Sequence, residues 1–306
     1  MIYIISGSIR PDVGKFRRGL RAVQLSCEEG EPVEVSQVDS QHRWLDGRPH
    51  ELFSMFLSIL KRSDGDDVIL FADGGTGAAR TTRYFSGDTL ITRGGRLDHP
   101  MVMGFSDASV YPLMAWLWGY RNCYHGPNVV DFGAMDAEGL RDMYGLLTQA
   151  TVPNSNVTFH SAEIVNGFGR PQPKTYKLVP VCPGTLRQTS RRVKQALVDR
   201  LQRDPSVLMF DDAYPNNAVG TLALYEDLTA LTEVVEALAI SDGILAVGSV
   251  PFASDVLYDY KAVFPDLQMV SGVDFGHLGD LNTIIPYGQK ARVTYDPLSG
   301  LGVKME

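Results

Sequence analysis

The chain has little cysteine. Its 306 residues hold three, Cys27, Cys123 and Cys182, set far apart. They form no CxxC pair and no even disulfide framework, so a reducing compartment is expected. Basic residues are also in deficit: 28 Lys and Arg against 36 Asp and Glu give a formal net charge of −8. That balance argues against a broad electrostatic surface for nucleic acid. No apolar run approaches the length that spans a bilayer, which argues against a membrane protein. The opening residues, MIYIISGSIRPD, place no basic segment ahead of their apolar run and carry no cleavage-site pattern, unlike a secretory signal. There is no HExxH and no His/Cys cluster at metal-ligand spacing, which disfavours a metal enzyme. A cytoplasmic protein is the expectation.

What is present is an ordinary globular composition, 44% apolar and 21% charged. Short apolar runs at Met1–Ser6, Val33–Val38, Val68–Ala72 and Met101–Phe105 read as strands. Lys15–Arg21, Glu51–Arg62, Val110–Trp118 and Asp136–Thr148 read as helices between them. This alternation predicts an α/β fold, with a mostly parallel sheet and flanking helices over residues 1–150. Residues 151–176, rich in Pro, Gly and Asn, read as a linker, and residues 177–306 as a second domain. There Thr221–Tyr225, Gly243–Val250, Met269–Val273, Thr283–Ile285 and Ala291–Tyr295 read as strands, and Leu228–Ala239 as a helix.

Three stretches carry candidate chemistry. In Gly104-Phe105-Ser106-Asp107-Ala108 a serine stands where a strand gives way to a helix. The first helical amides are unpaired there, so a hydroxyl at that point has oxyanion donors nearby. The G-x-S-x-G elbow of hydrolases has this form, with Ala108 here in place of the last glycine. Taken alone, the stretch reads better as a helix cap than as a nucleophile. Asp73-Gly74-Gly75-Thr76-Gly77-Ala78-Ala79-Arg80 is a glycine loop after a strand; it lacks the third glycine of a dinucleotide fingerprint and suits an oxyanion or a carboxylate better. Arg80 and Arg83 beside it are candidate partners for a substrate carboxylate. Ser6-Gly7-Ser8-Ile9-Arg10 resembles the phosphate loop of flavodoxin-like flavin reductases over about ten residues, which leaves a flavin-binding or non-catalytic protein as one alternative.

Taken together, four separated stretches resemble the LD-carboxypeptidase family of serine peptidases, which includes the murein tetrapeptide LD-carboxypeptidases and the microcin C immunity peptidases. They are the glycine loop 73–80, the Ser106 motif with His125-Gly126-Pro127 after it, Leu222-Ala223-Leu224-Tyr225-Glu226-Asp227, and Phe275-Gly276-His277 followed by Asn282, Pro286 and Gly288. They stand in the family's order over residues 68 to 295. The resemblance implies Ser106 as nucleophile, His277 as general base and acid, and Glu226 as the carboxylate that orients the imidazole. It implies an oxyanion site built from the backbone amides of Asp107 and the Gly74–Gly75 loop. It further implies a smaller C-terminal α/β domain with a mixed sheet, no cofactor, and a homodimer acting on a small peptide or peptide conjugate.

The chain departs from the family pattern at Thr76, where an aromatic residue is usual, at Thr81-Thr82-Arg83-Tyr84 and at Pro183-Gly184-Thr185. The stretch between Glu226 and His277 is short, which leaves Glu233 and Glu236 as alternative acids. The expected activity is hydrolysis of an amide bond near a peptide's carboxyl end through an acyl-enzyme. Capture of that acyl group by an amine or hydroxyl, as in a biosynthetic acyl transferase, uses the same residues and stays open.

Overall fold

The computed structural model describes residues 1–26, 32–36, 47–86, 99–147, 156–159, 163–166, 174–211, 218–248, 253–273, 275, 284–296 and 300–306. Cys27 and His277 lie outside the described residues. The chain forms two compact units, Met1–Pro153 with Gln188–Val193, and Asn154–Arg187 with Lys194–Glu306.

The first unit is built on the strands β1 (Ile2–Ile5), β2 (Val33–Ser36), β3 (Val68–Phe71), β4 (Met101–Gly104) and β5 (Cys123–His125). Within the unit they run in the order β5-β4-β3-β1-β2. Every pair is parallel: Ile2 is opposite both Val33 and Val68, Val68 opposite Met101, and Val102 opposite Cys123. Helices on both faces bury such a sheet, so its strands are apolar throughout rather than alternating. β1, β3 and β4 accordingly show no exposed residue. The helix Pro49–Arg62 opens with proline in its first turn and points Leu52, Phe53, Phe56, Ile59 and Leu60 inward. Phe56 meets Tyr111 edge-on at 4.9 Å, and Tyr111 stacks on Phe71 of β3 at 4.6 Å. That aromatic stack lies directly beneath the loops that follow β1, β3 and β4.

The segment Gln188–Val193 belongs to this unit. Ser190 donates its N–H to Thr82 Oγ1 and its hydroxyl to Thr82 O, each at 2.8 Å.

The second unit holds β6 (Asn156–Phe159), β7 (Glu163–Asn166), β8 (Lys174–Val181), β9 (Ser206–Phe210), β10 (Ile244–Gly248) and β11 (Gln268–Val273). A two-residue strand β12 (Ile285–Pro286) precedes β13 (Lys290–Asp296) and β14 (Gly300–Met305). Its eight-stranded sheet runs β6-β14-β13-β8-β9-β10-β11-β7. The centre, β8 to β11, is parallel, and the flanks are antiparallel, so the sheet is mixed as expected. β6 and β7 fall inside the stretch 151–176.

Two expectations for this unit require correction. Thr221–Tyr225 is not a strand: it lies inside a helix, Ala218–Ala230. Leu228–Ala239 is not one helix either, because the chain breaks at Leu231 (φ −110°) and a second helix runs Thr232–Ile240.

Candidate active site

Ser106 follows β4 at the start of a short 3-10 turn, Ser106–Ser109, that leads into the buried helix Val110–Leu117. Its φ is +56°, in the left-handed region. A serine there is under backbone strain, and such strain persists only where surrounding structure imposes it. The imposing structure is visible on three sides.

Behind Ser106, Asn128 grips the preceding peptide. Its Oδ1 accepts the Phe105 N–H at 3.1 Å and its Nδ2 donates to the Phe105 carbonyl at 3.2 Å. Asn128 is 2% exposed, so both bonds are shielded from water. The neighbouring Gly126 N–H donates to Gly104 O at 3.3 Å. His125 is buried with its ring edge-on to Phe105, at 5.2 Å, which makes it part of the support of the elbow.

In front of Ser106 lies the glycine loop. A methyl group on Gly74 would stand 2.8 Å from Ser106 Cβ and 3.2 Å from its Oγ. Only glycine allows that approach. Gly75 has φ +99° and Gly77 φ +112°, so the loop turns twice through conformations that other residues resist.

Beneath it, Asp107 ties the loops together. The residue is 3% exposed, and its Oδ2 accepts the Ala78 N–H at 2.6 Å and the Ser8 hydroxyl at 2.7 Å. Thus the loops after β1, β3 and β4 converge on one carboxylate. Its side chain works inward as a tether, while its backbone amide follows the nucleophile position.

The first loop is consumed by this arrangement. Ser8 is fully buried, and Thr76 O lies 2.9 Å from its hydroxyl as a second acceptor. Gly7 O accepts the Tyr111 hydroxyl at 2.7 Å, and Tyr111 and Phe71 fill the space where a Gly7 side chain would be. Burial pushes the Tyr111 phenol well above its ordinary pKa, so it acts as a neutral donor. The loop Ser6–Arg10 therefore braces the Ser106 elbow, and Gly7 and Ser8 present no open phosphate cradle of the flavodoxin kind.

Gly74 and Gly75 differ as oxyanion donors. The Gly74 N–H already donates to Asp73 Oδ1 at 2.7 Å. Gly75 is exposed, and its N–H meets no acceptor among the described residues. Asp73 is half-buried. Desolvation raises its carboxyl pKa above the ordinary value, against a lowering by the Gly74 N–H and Lys15. Arg80 is exposed on the 3-10 turn Ala78–Tyr84, and Arg83 Nε donates to its carbonyl at 3.0 Å.

Glu226 does not end a strand. It sits within the helix Ala218–Ala230 with its side chain 59% exposed, and its Oε2 lies 3.5 Å from Arg187 Nη1. The closer partner of Arg187 is the buried Asp227, at 2.8 Å. The Glu226-Asp227 pair thus anchors Arg187 of the helix Pro183–Gln188. Glu233 and Glu236 lie on the next helix, Thr232–Ile240.

The carboxylate that does follow a strand is Asp211, one residue beyond β9. It is 2% exposed, and its N–H donates to Val181 O at 3.0 Å. It emerges from the C-terminal ends of the parallel strands, where open α/β sheets place their functional groups. The β-carbon position of Gly248 lies 3.2 Å from Phe210 O and 3.3 Å from Phe275 O. The residue before Asp211 and the residue two before His277 therefore flank the same glycine. The signal for Asp211 was present in Ser206-Val-Leu-Met-Phe-Asp211, an apolar run ending in an acid.

No protein-family model and no curated protein matches the sequence. Solved structures match it in fold. Muramoyltetrapeptide carboxypeptidase from Oxalobacter formigenes superposes with a TM-score of 0.67 at 14% identity, over 100% of this chain and 99% of that one. An MccF-like protein from Streptococcus pneumoniae, solved in complex with AMP, gives 0.71 at 15% identity, over 100% and 98%. Microcin C7 self immunity protein MccF, in complex with aspartyl sulfamoyl adenosine, gives 0.64 at 14% identity, over 100% and 95%. The chain has the fold of these proteins across its whole length, as the resemblance of its motifs implied.

Proposed function

We propose that the chain is a serine hydrolase of the LD-carboxypeptidase type, which cleaves an amide bond near the carboxyl end of a small peptide or peptide conjugate. The observation that carries this is the backbone of Ser106. A non-glycine residue at φ +56°, held by Asn128 from behind and approached by Gly74 in front, has no stabilising purpose of its own. Strain of this kind accumulates where a side chain must be presented. The fold-sharing proteins support the substrate class: one is a muramoyltetrapeptide carboxypeptidase and another was solved with an aspartyl sulfamoyl nucleoside.

In this reading Ser106 Oγ attacks the amide carbonyl carbon while His277 takes its proton. The oxyanion that forms is met by the backbone N–H groups of Asp107 and of Gly75. Gly74 is the less suitable donor, since its N–H is engaged by Asp73. The amine leaves with the proton from His277, and the Ser106 ester is then hydrolysed by water, with His277 acting again as base. Asp211 replaces Glu226 as the group that orients His277, because Asp211 is the buried acid at the strand end. Arg80 remains a candidate for the substrate carboxylate, from its exposed place beside the glycine loop.

The test is labelling with a serine-reactive phosphonate, located by peptide mass spectrometry. Modification of Ser106 in the native protein, lost in Ser106→Ala and in His277→Ala, is the expected result. A folded protein that resists the reagent, or reacts equally well without His277, overturns the assignment.

A further inference from the structure

The helix Val13–Ser26 is basic in a chain of the opposite sign. It holds Lys15, Arg17, Arg18 and Arg21 and no acid, while the whole chain has a formal net charge of −8. Arg18, Arg21, Ala22 and Leu25 fall three and four residues apart, so they share one face of the helix. That face lines an open cavity of about 600 Å³, together with Leu140 and Arg141 of the helix Ala137–Leu147. Phe132 and Met135, from the chain that leads into that second helix, complete the lining. Three arginines and a largely apolar surface thus meet in one concave place.

Backbone packing sets the shape of this cavity. A methyl group on Gly19 would stand 1.7 Å from Val129 O, and one on Gly133 would stand 2.9 Å from Arg18 Cβ. Only glycines let the chain before Met135 come so close to the basic helix. Arg18, Arg21 and Arg141 are exposed, and none of them forms an ion pair among the described residues. Acids near them in sequence are occupied with backbone amides instead. Asp12 Oδ1 accepts the Lys15 N–H, Asp131 Oδ2 the Asn128 N–H and Asp136 Oδ1 the Gly139 N–H, each at 2.8 Å. Like charges gathered on one cavity repel one another, and a bound anion relieves that repulsion.

We propose that this cavity is a binding site for a small phosphate monoester carrying an apolar or aromatic body. The planar fork of a guanidinium engages two phosphate oxygens at once, and Arg18, Arg21 and Arg141 supply three such forks. Phe132, Met135 and Leu25 offer apolar surface to the body of the ligand. The volume lies within the range of small-molecule sites, and a concave site suits such a ligand better than a flat anionic surface. The cavity shares no residue with the Ser106 elbow, so the proposal stands apart from the assignment of the nucleophile.

The experiment is calorimetric titration of the full chain at neutral pH with naphthyl phosphate, naphthol and inorganic phosphate. Naphthyl phosphate should bind at least about tenfold more tightly than either of the others, since only it uses both the arginines and the apolar surface. Arg21→Gln and Arg141→Gln, both at exposed positions, should each weaken it by about tenfold. Arg17→Gln, on the same helix but outside the cavity, should leave it unchanged, as should Ser106→Ala. Naphthyl phosphate binding no better than naphthol overturns the proposal, as does binding that survives the double variant of Arg21 and Arg141. Loss of binding in Ser106→Ala also overturns it, by moving the ligand to the elbow. Vesicles of phosphatidylglycerol serve as the last probe. Their capture in an Arg21-dependent way, with naphthyl phosphate unbound, overturns the proposal in favour of a membrane surface.

Discussion

Asn128 pairs with Phe105 as one peptide pairs with another: it accepts the Phe105 N–H and donates to the Phe105 carbonyl, at 3.1 and 3.2 Å. The strained residue comes next in the chain, Ser106 at φ +56°. A buried side-chain amide thus does the work of a missing strand partner at the point where β4 ends. Replacing Asn128 by Ala removes the side-chain acceptor of the buried Phe105 N–H, at a cost of about 1–3 kcal/mol, whereas the Phe105 carbonyl keeps the Ala108 N–H at 3.1 Å. We expect Asn128→Ala to lower the urea midpoint clearly and to slow phosphonate labelling of Ser106 by more than global unfolding accounts for. Asn128→Asp keeps only the accepting half, so it should protect the Phe105 N–H in hydrogen exchange while failing to restore the labelling rate.

Asp107 gives a second expectation. Its Oδ2 serves Ser8 and Ala78 at once, so one carboxylate holds the loops after β1 and β3 against the Ser106 elbow. Hydrogen bonds to a charged acceptor contribute about 1.5–3 kcal/mol each. Asp107→Ala should therefore be among the most destabilising single changes in this unit, and Ser8→Ala should cost less because Ala78 keeps its acceptor. A double-mutant cycle by urea unfolding checks this: the two losses should fall well short of additive. Full additivity would show that the carboxylate does not couple the loops.

Close approach and backbone strain can be separated with two glycines of the same unit. Gly74 needs room, since its added methyl would meet Ser106 Cβ at 2.8 Å. Gly119 has φ +97° but nothing within 4 Å of the methyl position. Gly119→Ala should then cost only the conformational penalty, about 1–2 kcal/mol, and leave labelling of Ser106 unchanged. Gly74→Ala should block labelling through displacement of the serine. Comparable labelling by both variants would remove the geometric argument for the glycine loop.

Asp73 makes stability depend on pH in a defined direction. Desolvation raises its folded pKa above the unfolded one. The folded state then holds its proton more tightly, so stability declines as pH rises through the interval from the unfolded to the folded value. Below that interval the contribution is fully present, and above it the contribution is lost. Asp73→Asn has no such term. Urea unfolding should find the variant gaining on the native protein between acid and neutral pH, with the change confined to the region just above ordinary carboxylate titration. A constant difference across that range would contradict the desolvated state of this side chain.

Much of the first unit could be read from the chain because its strands are short, wholly apolar and separated by helices with regular spacing. Ile2–Ile5, Val68–Phe71 and Met101–Gly104 are of this kind, and Leu52, Phe53, Phe56, Ile59 and Leu60 mark one helical face. The second unit misled at Ala218–Ala230, where Leu222, Leu224, Tyr225 and Leu228 spread apolar side chains around the whole helix. Leu224 and Leu228, one turn apart, are buried, whereas Leu222 and Tyr225 are exposed at 57% and 47%. The period of 3.6 is hidden under that excess, and Leu-Ala-Leu-Tyr mimics a strand. Asn128 was unreadable for another reason. Its partner is 23 residues away, and nothing local distinguishes it from a turn asparagine.

That misreading of one helix fixes the most informative comparison, which sets Glu226 against Asp211. Glu226 is 59% exposed and 3.5 Å from Arg187, a contact worth little in water. Asp211 is buried, and the chain one residue before it flanks Gly248 together with the chain two residues before His277. A carboxylate that orients a catalytic imidazole is needed in the charged, accepting form, and an amide in its place holds the wrong tautomer. Asp211→Asn should therefore keep the fold and slow Ser106 labelling by about 10⁴, the loss seen when a triad acid becomes an amide. Glu226→Gln should label at nearly the native rate, since Arg187 retains Asp227 at 2.8 Å. If instead Glu226→Gln abolishes labelling and Asp211→Asn does not, the acid is the helical glutamate. The helix Ala218–Ala230 would then have to present its exposed face to His277.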